Sequence, residues 1–319
     1  MAAVITPIYP DELKISVSRI QALVDSYRER KRTGIIRLGY PTGKYLHLML
    51  KRGNILAVYI VSSGGFEKIS QDHWVEWASS AGDAYLKLMP LSFTGLFNSK
   101  LLLTSNENKV DRFSHPNQLL EYISNHQRKT QPALAHFSWD NAMGYLFFSG
   151  SSEDVYSIFI SQDTIVDEAG AHKIFAQWNE PNCIVRTCLP DPTVDSWQEY
   201  YLKRTFVAIS LQMLQRIETM TGRALIDSLV RLITIYVSRN NLDIVFSPHK
   251  LTDHEVFLSP QQAAQTYRQI LDEMFSHFSA VVGSRLLALT LRDIIMSFPE
   301  HERAVIHNFQ LLPEGYSYD

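Results

Sequence analysis

The sequence has few of the residues that mark a disulfide-bonded or membrane-spanning chain. Two of its 319 residues are cysteine, Cys183 and Cys188, which is too few for a disulfide framework and favours a cytoplasmic location. Charged residues interrupt its apolar stretches, as in residues 281–295, so none offers the run of about 20 apolar residues that a membrane helix needs. The first residues have no basic region before a long apolar core, and we expect no signal peptide.

An excess of charge of one sign is also missing. The chain has 30 basic and 33 acidic residues, for a formal net charge of -3, so electrostatics give no reason to expect a nucleic-acid partner. Glycine and proline are sparse and 45% of residues are hydrophobic, which excludes disordered and collagen-like chains. This length allows two or three globular domains.

The motifs of common enzyme classes are missing or misplaced. Residues 39–44 (GYPTGK) are one residue short of a phosphate-binding loop and lie between two predicted strands. Residues 247–250 match SxxK, but they lie between extended segments and not at the start of a helix. Neither GxGxxG nor GxSxG occurs. We therefore expect no enzymatic activity, no catalytic residues and no cofactor.

A metal site has equally weak support. His249 and His254, with Asp253 and His277, are the nearest approach to a ligand set, but HxxxxH in a loop is a poor template for zinc. The two cysteines are five positions apart on one predicted strand, so they point to opposite faces. We expect no metal and two structural thiols.

The chain resembles itself at an offset of 100 residues. Apolar and turn positions coincide without a gap in four blocks, which predicts a duplication. The blocks are residues 21–34 over 121–134, 43–46 over 143–146, 54–60 over 154–160 and 84–90 over 184–190.

Each copy is predicted to have the order α-β-β-β-α-β, which gives an α+β fold with antiparallel sheets. In the first copy the leading helix places Ile20, Leu23, Val24 and Tyr27 on one face, and the later elements are 35–38, 45–50, 55–61, 71–80 and 84–89. In the second copy the helix carries Leu119, Leu120 and Ile123, and the later elements are 133–137, 145–148, 155–160, 171–178 and 183–189.

The last part of the chain is predicted to be a helical bundle. A long amphipathic helix over 197–220, with Asp195 as its cap, ends at Gly222, and a second helix follows. The same pattern recurs further on with Gly283, and short strands are predicted at 242–246 and 255–258. Arg285 and Arg292 are interpreted as surface charges in preference to a binding patch. The predicted domains are 1–105, 106–192 and 193–319.

One basic run and two tryptophans are the candidate interface. The run Arg28, Arg30, Lys31 and Arg32 suits the C-terminus of a solvated helix, and the alternative is a docking patch for an acidic partner. Tryptophans usually pack in the core, with interface anchors as the alternative. The candidate interface residues are Arg28, Arg30, Arg32, Trp74 and Trp77.

Residues 15–89 resemble the PATAN-type domain of bacterial signalling and gliding-motility proteins. The shared features are a leading helix, residues 32–38 (RTGIIRL), a hairpin, residues 51–58 (KRGNILAV), a tryptophan-bearing helix and a closing strand. Residues 69–72 (ISQD) replace the usual Gly-x-x-Ala-Leu, and a degenerate second copy at about 115–190 lacks Thr-Gly and the hairpin glycine. The resemblance implies a non-enzymatic interaction scaffold and supplies no catalytic residues.

Two functions follow as hypotheses. The first is a cytoplasmic signalling adaptor that binds a protein partner, with a homodimer as an open alternative and with no nucleic-acid or membrane partner. The second is a small-ligand sensor or enzyme with a site in the cleft between the two α+β copies. The polar candidates for that cleft are His47, His73, His136, His172 and Asp140.

Overall fold

The computed structural model divides the chain into two compact units, residues 1–191 and 192–319. It confirms a mixed α/β chain with antiparallel sheets and a C-terminal helical region. The predicted further division near residue 105 stays a prediction. The structure describes residues 13–62, 65–91, 93–105, 107–127, 132–139, 142–148, 158–160, 164–166 and 183–316.

The first unit begins with a six-stranded antiparallel sheet and two helices. The strands lie in the order β1-β6-β2-β3-β4-β5, with every neighbouring pair antiparallel. The elements are β1 (Leu13–Ile15), α1 (Val17–Glu29), β2 (Gly34–Gly39), β3 (Tyr45–Lys51), β4 (Asn54–Ser62), β5 (Gly65–Ile69), α2 (Trp74–Ala81) and β6 (Ala84–Pro90).

A connecting helix leads to a second six-stranded antiparallel sheet. Its strand order is β11-β10-β9-β8-β12-β7. In both sheets the edge strand that comes first in the chain pairs with the strand that comes last. The predicted helix at 171–178 lies outside the described residues. The elements are α3 (Phe93–Thr104), β7 (Glu107–Phe113), α4 (Pro116–Gln127), β8 (Ala133–Trp139), β9 (Ala142–Phe148), β10 (Ile158–Ile160), β11 (Thr164–Val166) and β12 (Cys183–Cys188).

The predicted order α-β-β-β-α-β was wrong for the first copy because it omitted the edge strands β1 and β5. The sequence of β5, GFEKI, has only two large apolar residues, so it lacks the apolar run that predicts a strand. The prediction also omitted α3. The described side chains of α3 are buried, and a helix buried on all sides has no apolar stripe to mark it.

Both faces of the first sheet are covered. On one face Ile36, Leu38 and Leu48 form a core with α1 and α2. All six residues of β2 are buried, and α3 packs against β2 of the first sheet and β8 of the second. Any polar side chain on the second face of β2 therefore lies in the interior of the unit.

The two sheets do not correspond at the gapless offset that the sequence suggested. Leu38 pairs with Leu86 in the first sheet, and Phe137 pairs with Val185 in the second, with these apolar side chains in the two cores. Ala84 and Leu86 lie in the first core, and Cys183 and Val185 lie in the second. The overlay of residues 84–90 on 184–190 was therefore wrong, because it matches opposite faces of the two strands.

The second unit is built from two helix–glycine–helix segments. The long helices α5 and α7 pack together, and α6 and α8 each pack against both of them. Gly222 and Gly283 have closely matching backbones, with φ of 87° and 83°. The elements are α5 (Asp195–Thr221), α6 (Arg223–Arg239), β13 (Ile244–Ser247), β14 (Lys250–Asp253), α7 (Pro260–Val282), α8 (Ser284–Met296) and α9 (Glu300–Asn308).

Two details of this unit differ from the predictions. The second strand of the hairpin is β14, and residues 255–258 form no strand. The N-cap of α5 is Val194, and Asp195 lies in the first helical turn, where a carboxylate still interacts favourably with the helix dipole.

The β3–β4 hairpin makes a close backbone contact with the end of α1. Arg52 and Gly53 both have positive φ, 49° and 82°, as a two-residue type I′ turn requires. The Gly53 amide donates a hydrogen bond of 2.6 Å to the Arg32 carbonyl. A Cβ on Gly53 would lie 2.4 Å from the Cα of Arg28 and 2.6 Å from the carbonyl oxygen of Tyr27, so only glycine fits here.

We expect Gly53→Ala to lower the free energy of unfolding by about 3 kcal/mol, because it adds a clash with helix backbone to an unfavourable φ. Gly43→Ala is the matched control, since Gly43 has φ of 74° but no atom within 4 Å of an added Cβ. Its cost should be about 1 kcal/mol. Urea unfolding measures both, and equal costs would contradict the close approach.

Candidate functional site

The basic run lies on the surface at the C-terminal end of α1. Arg28, Arg30, Lys31 and Arg32 are all exposed, and this position places their charges favourably beside the helix dipole. The Arg28 guanidinium lies 3.3 Å from the Asp25 carboxylate. The Arg32 guanidinium lies 5.7 Å from the centroid of the Tyr27 ring, within the range of a cation–π contact.

The β3–β4 hairpin adds one more basic residue beside this run. The Arg52 amide donates a 2.9 Å hydrogen bond to the Thr33 hydroxyl, and the Arg52 side chain is half-buried. Sequence reasoning missed this residue because it treated the hairpin turn separately from the helix end. We define the basic patch as Arg28, Arg30, Lys31, Arg32 and Arg52.

The contact at Gly53 fixes the two halves of the basic patch to each other. The Arg32 amide also donates a 3.0 Å hydrogen bond to the Tyr27 carbonyl, which closes the end of α1. Backbone hydrogen bonds therefore hold both segments. The patch presents its charges on a rigid frame, which lowers the ordering cost of binding.

The two candidate tryptophans lie on α2 in different environments. Trp74 is 5% exposed and belongs to the core under α1 and α2, so it offers almost no surface to a partner. Trp77 is half-buried, and its ring meets Tyr40 edge-on with centroids 5.2 Å apart. Of the pair, Trp77 alone has an accessible part.

A second group of basic residues, some buried and some half-buried, belongs to the first unit. Arg37 on β2 is opposite His47 on β3 and Lys87 on β6. Arg37 is 1% exposed, and its guanidinium lies 4.4 Å from the centroid of the Tyr45 ring. His47 is 2% exposed, and its Nδ1 has no hydrogen-bond partner among the described residues.

The second sheet has a similar pair. His136 on β8 is opposite Arg186 on β12, and His136 is buried. Lys100 is buried in α3, the helix that packs against both β2 and β8. Sequence reasoning selected the two histidines but missed the cations, although a lone arginine inside the apolar sequence GIIRLG was a usable signal. We call the buried Arg37, His47, Lys100 and His136, together with the half-buried Lys87 and Arg186 in the two histidine-bearing cross-strand rows, the buried basic group.

Burial determines the protonation of the two histidines. Burial, with a smaller contribution from Arg37, lowers the pKa of His47 to about 3. Burial and then Arg186 lower the pKa of His136 to about 3. Both imidazoles are therefore neutral at physiological pH, and each has one donor and one acceptor nitrogen. The positive charge of the group belongs to its arginines and lysines.

Among the other cleft candidates, the structure describes His73, which does not join this group. His73 is exposed and lies immediately before α2. His172 and Asp140 lie outside the described residues.

The residues weighed as metal ligands lie in separate environments. The exposed His249 lies 3.6 Å from the Glu218 carboxylate, and His277 lies 3.1 Å from Glu273 within α7. Over residues 183–316 and the other described segments, no group of three or more His, Cys, Asp or Glu side chains is placed to hold a metal ion.

Asp253 has a structural set of partners. Its buried carboxylate accepts hydrogen bonds from the Tyr267 hydroxyl at 2.5 Å and the Glu255 amide at 2.7 Å, and lies 3.7 Å from the Lys203 ammonium. Burial raises the pKa of Asp253, and Lys203 partly offsets this. These contacts attach the β13–β14 hairpin to α5 and α7.

The chain matches no known family model, and neither curated proteins nor solved structures give a significant match. The PATAN-type resemblance therefore stays a prediction. Every helix in the described part of the chain is too short or too polar to cross a lipid bilayer.

We predict that His47→Leu reduces the acid sensitivity of the protein. Because the folded pKa of His47 lies below its ordinary value of 6.5, its stabilising contribution is complete above that pH. The contribution falls by about 1.6 kcal/mol between pH 6.5 and pH 5. The variant should lower the slope of unfolding free energy against pH by about 1.1 kcal/mol per pH unit, averaged over this range.

Urea unfolding at several pH values measures the slope, with His73→Gln as a surface control. An unchanged slope in His47→Leu would show that His47 is accessible to protons in the folded protein.

Proposed function

We propose that this protein is a non-enzymatic, cytoplasmic interaction scaffold that docks an acidic protein partner on the basic patch. The observation that supports the proposal is the rigid presentation of four exposed cations at the end of α1. The resemblance to the PATAN-type domain makes a bacterial signalling component the proposed class of partner.

Electrostatics indicate how such a patch works. Exposed charges add little affinity each, but a cluster of one sign speeds the encounter with a complementary surface and selects against basic partners. The charges of the patch act over about 10 Å at 0.1 M salt and about 3 Å at 1 M salt. Binding that depends on the patch should therefore weaken steeply as salt is added.

We also propose that the first unit arose by duplication of one α/β module. The equivalent strand orders of the two sheets support this, as does the matched register of Leu38–Leu86 with Phe137–Val185. On this alignment Arg37 and His136 occupy equivalent places in β2 and β8. The two modules would then share a scaffold and differ at the positions used for binding.

The triple variant Arg28→Glu, Arg30→Glu and Arg32→Glu should lose its partner while it stays folded, because exposed substitutions change stability by only about 0.5 kcal/mol each. The control is Arg216→Glu, Arg223→Glu and Arg239→Glu, three exposed arginines of the helical region. Immobilised wild type and both variants are incubated with lysate of the native host at low and high salt.

The proposal expects proteins captured by wild type and control, released by salt and absent from the triple variant. Equal capture by the triple variant, or capture that salt does not change, would overturn docking through the patch.

A second candidate function is a sensor for a small anion in the buried basic group. The observation in its favour is the buried His47 Nδ1, which has no hydrogen-bond partner among the described residues. His47 is also aligned across the sheet with Arg37 on β2 and Lys87 on β6. A phosphate or carboxylate would accept hydrogen bonds from such donors.

A thermal-shift screen with inorganic phosphate, pyrophosphate, citrate and nucleotides tests the sensor. At a concentration of 100 times Kd, a bound anion should stabilise the fold by about 2.7 kcal/mol. His47→Leu should remove the shift, and His73→Gln should keep it. A screen without shifts, or a shift unchanged by His47→Leu, would exclude this function.

A further inference from the structure

Helix α8 has a second apolar stripe on the side away from the core. Its inner side chains, such as Leu287, Leu291 and Ile294, are buried. On the outer side Leu286, Leu289 and Met296 are 44%, 52% and 56% exposed. Three large apolar side chains on one face of a short helix are typical of an interaction surface.

The charged residues on this face are placed symmetrically about Leu289. Arg285 lies four residues before Leu289 and Asp293 four residues after it, and both are exposed. Residues at this spacing follow one face of a helix, so each charge lies about 6 Å along the axis from Leu289, on opposite sides. The charges of this face are therefore complementary to those of the same face on a second helix that runs antiparallel to it.

We infer that this face of α8 binds the same face of a second copy of the chain, antiparallel and about a two-fold axis through Leu289. In this arrangement Arg285 of each copy lies opposite Asp293 of the partner, which gives two ion pairs around a leucine contact. An isologous contact requires this reciprocity: if one residue of the first copy contacts another residue of the second copy, the same two residues are also in contact with the copies exchanged.

The corresponding helix of the first segment lacks this pattern. When Gly222 is matched with Gly283, Ala224, Ser228 and Leu232 of α6 take the places of Arg285, Leu289 and Asp293. The exposed residues of α6 include Leu232 and Ile235, but without the flanking arginine and aspartate. Both helices expose apolar side chains, but of the two it is α8 that has the self-complementary arrangement of charges.

The size of the contact indicates a weak dimer. A helix of 13 residues is about 20 Å long, so a single helix pair buries less than the roughly 800 Å² per partner of a stable interface. We expect dissociation in the micromolar to millimolar range, in which the state of the protein depends on its concentration.

Sedimentation equilibrium of the full chain, from about 10 µM to about 1 mM, tests the inference in the range where small interfaces dissociate. Wild type should change from monomer to dimer, and Leu289→Glu should weaken association at least tenfold. Arg285→Asp or Asp293→Arg alone should weaken it about tenfold, because two repulsive pairs replace two attractive ones. The double exchange should restore the wild-type constant to within about threefold.

Leu232→Glu is the matched control on α6 and should leave dimerisation unchanged. Three results would overturn the inference: a monomer at every concentration, species that grow beyond a dimer, or a double exchange no better than the single variants. Circular dichroism verifies that each variant is folded, and the rescue by the double exchange separates a lost contact from a damaged helix.

Discussion

Strand β2 is covered on both faces, and this double burial determines where the polar groups of the first unit can lie. One face meets the core under α1 and α2, while α3 packs against β2 and β8. A basic residue on the second face of such a strand must enter the interior. The sheet therefore separates two kinds of positive charge, with Arg37 and its neighbours inside and the cations of the basic patch outside.

The two groups of cations differ in what holds them. The outer group depends on backbone, since the hairpin contacts the end of α1 through a glycine and hydrogen bonds that involve no charged atom. The inner group depends on strand register, because Arg37 meets His47 and Lys87 only in the observed pairing. Changes to the outer group should alter binding, and changes to the inner group should alter the fold first.

Sequence patterns predicted the elements that have a regular apolar spacing or a strongly apolar run. Ile20, Val24 and Tyr27 of α1 are buried as the helical spacing indicates, and the strands from β2 to β4 lie within a few residues of their predicted positions. Patterns failed at α3, whose described side chains are all buried so that no apolar stripe marks the helix, and at the mostly polar strands β5 and β7. They also failed at the offset between the two sheets, because a single missing residue exchanges the faces of a strand without changing its composition.

The candidate site was predictable in parts. The run at the end of α1 appears in the sequence as a cluster of basic residues, but the contribution of Arg52 depends on contact between the hairpin and that helix. His47 and His136 were selected as polar residues, whereas their cross-strand cations depend on pairing between segments far apart in the chain. Long-range register is the information that a local pattern lacks.

The arginine of β2 also has a consequence for misfolding. A slip of β2 by one residue would place the guanidinium of Arg37 in the apolar cluster beneath α1 and α2, where a charge without partners costs several kcal/mol. The neighbouring residues Ile35, Ile36 and Leu38 would tolerate either face. A single buried cation therefore penalises the one-residue slips of β2 that a purely aliphatic strand would permit, and it fixes which face of the strand meets the helices.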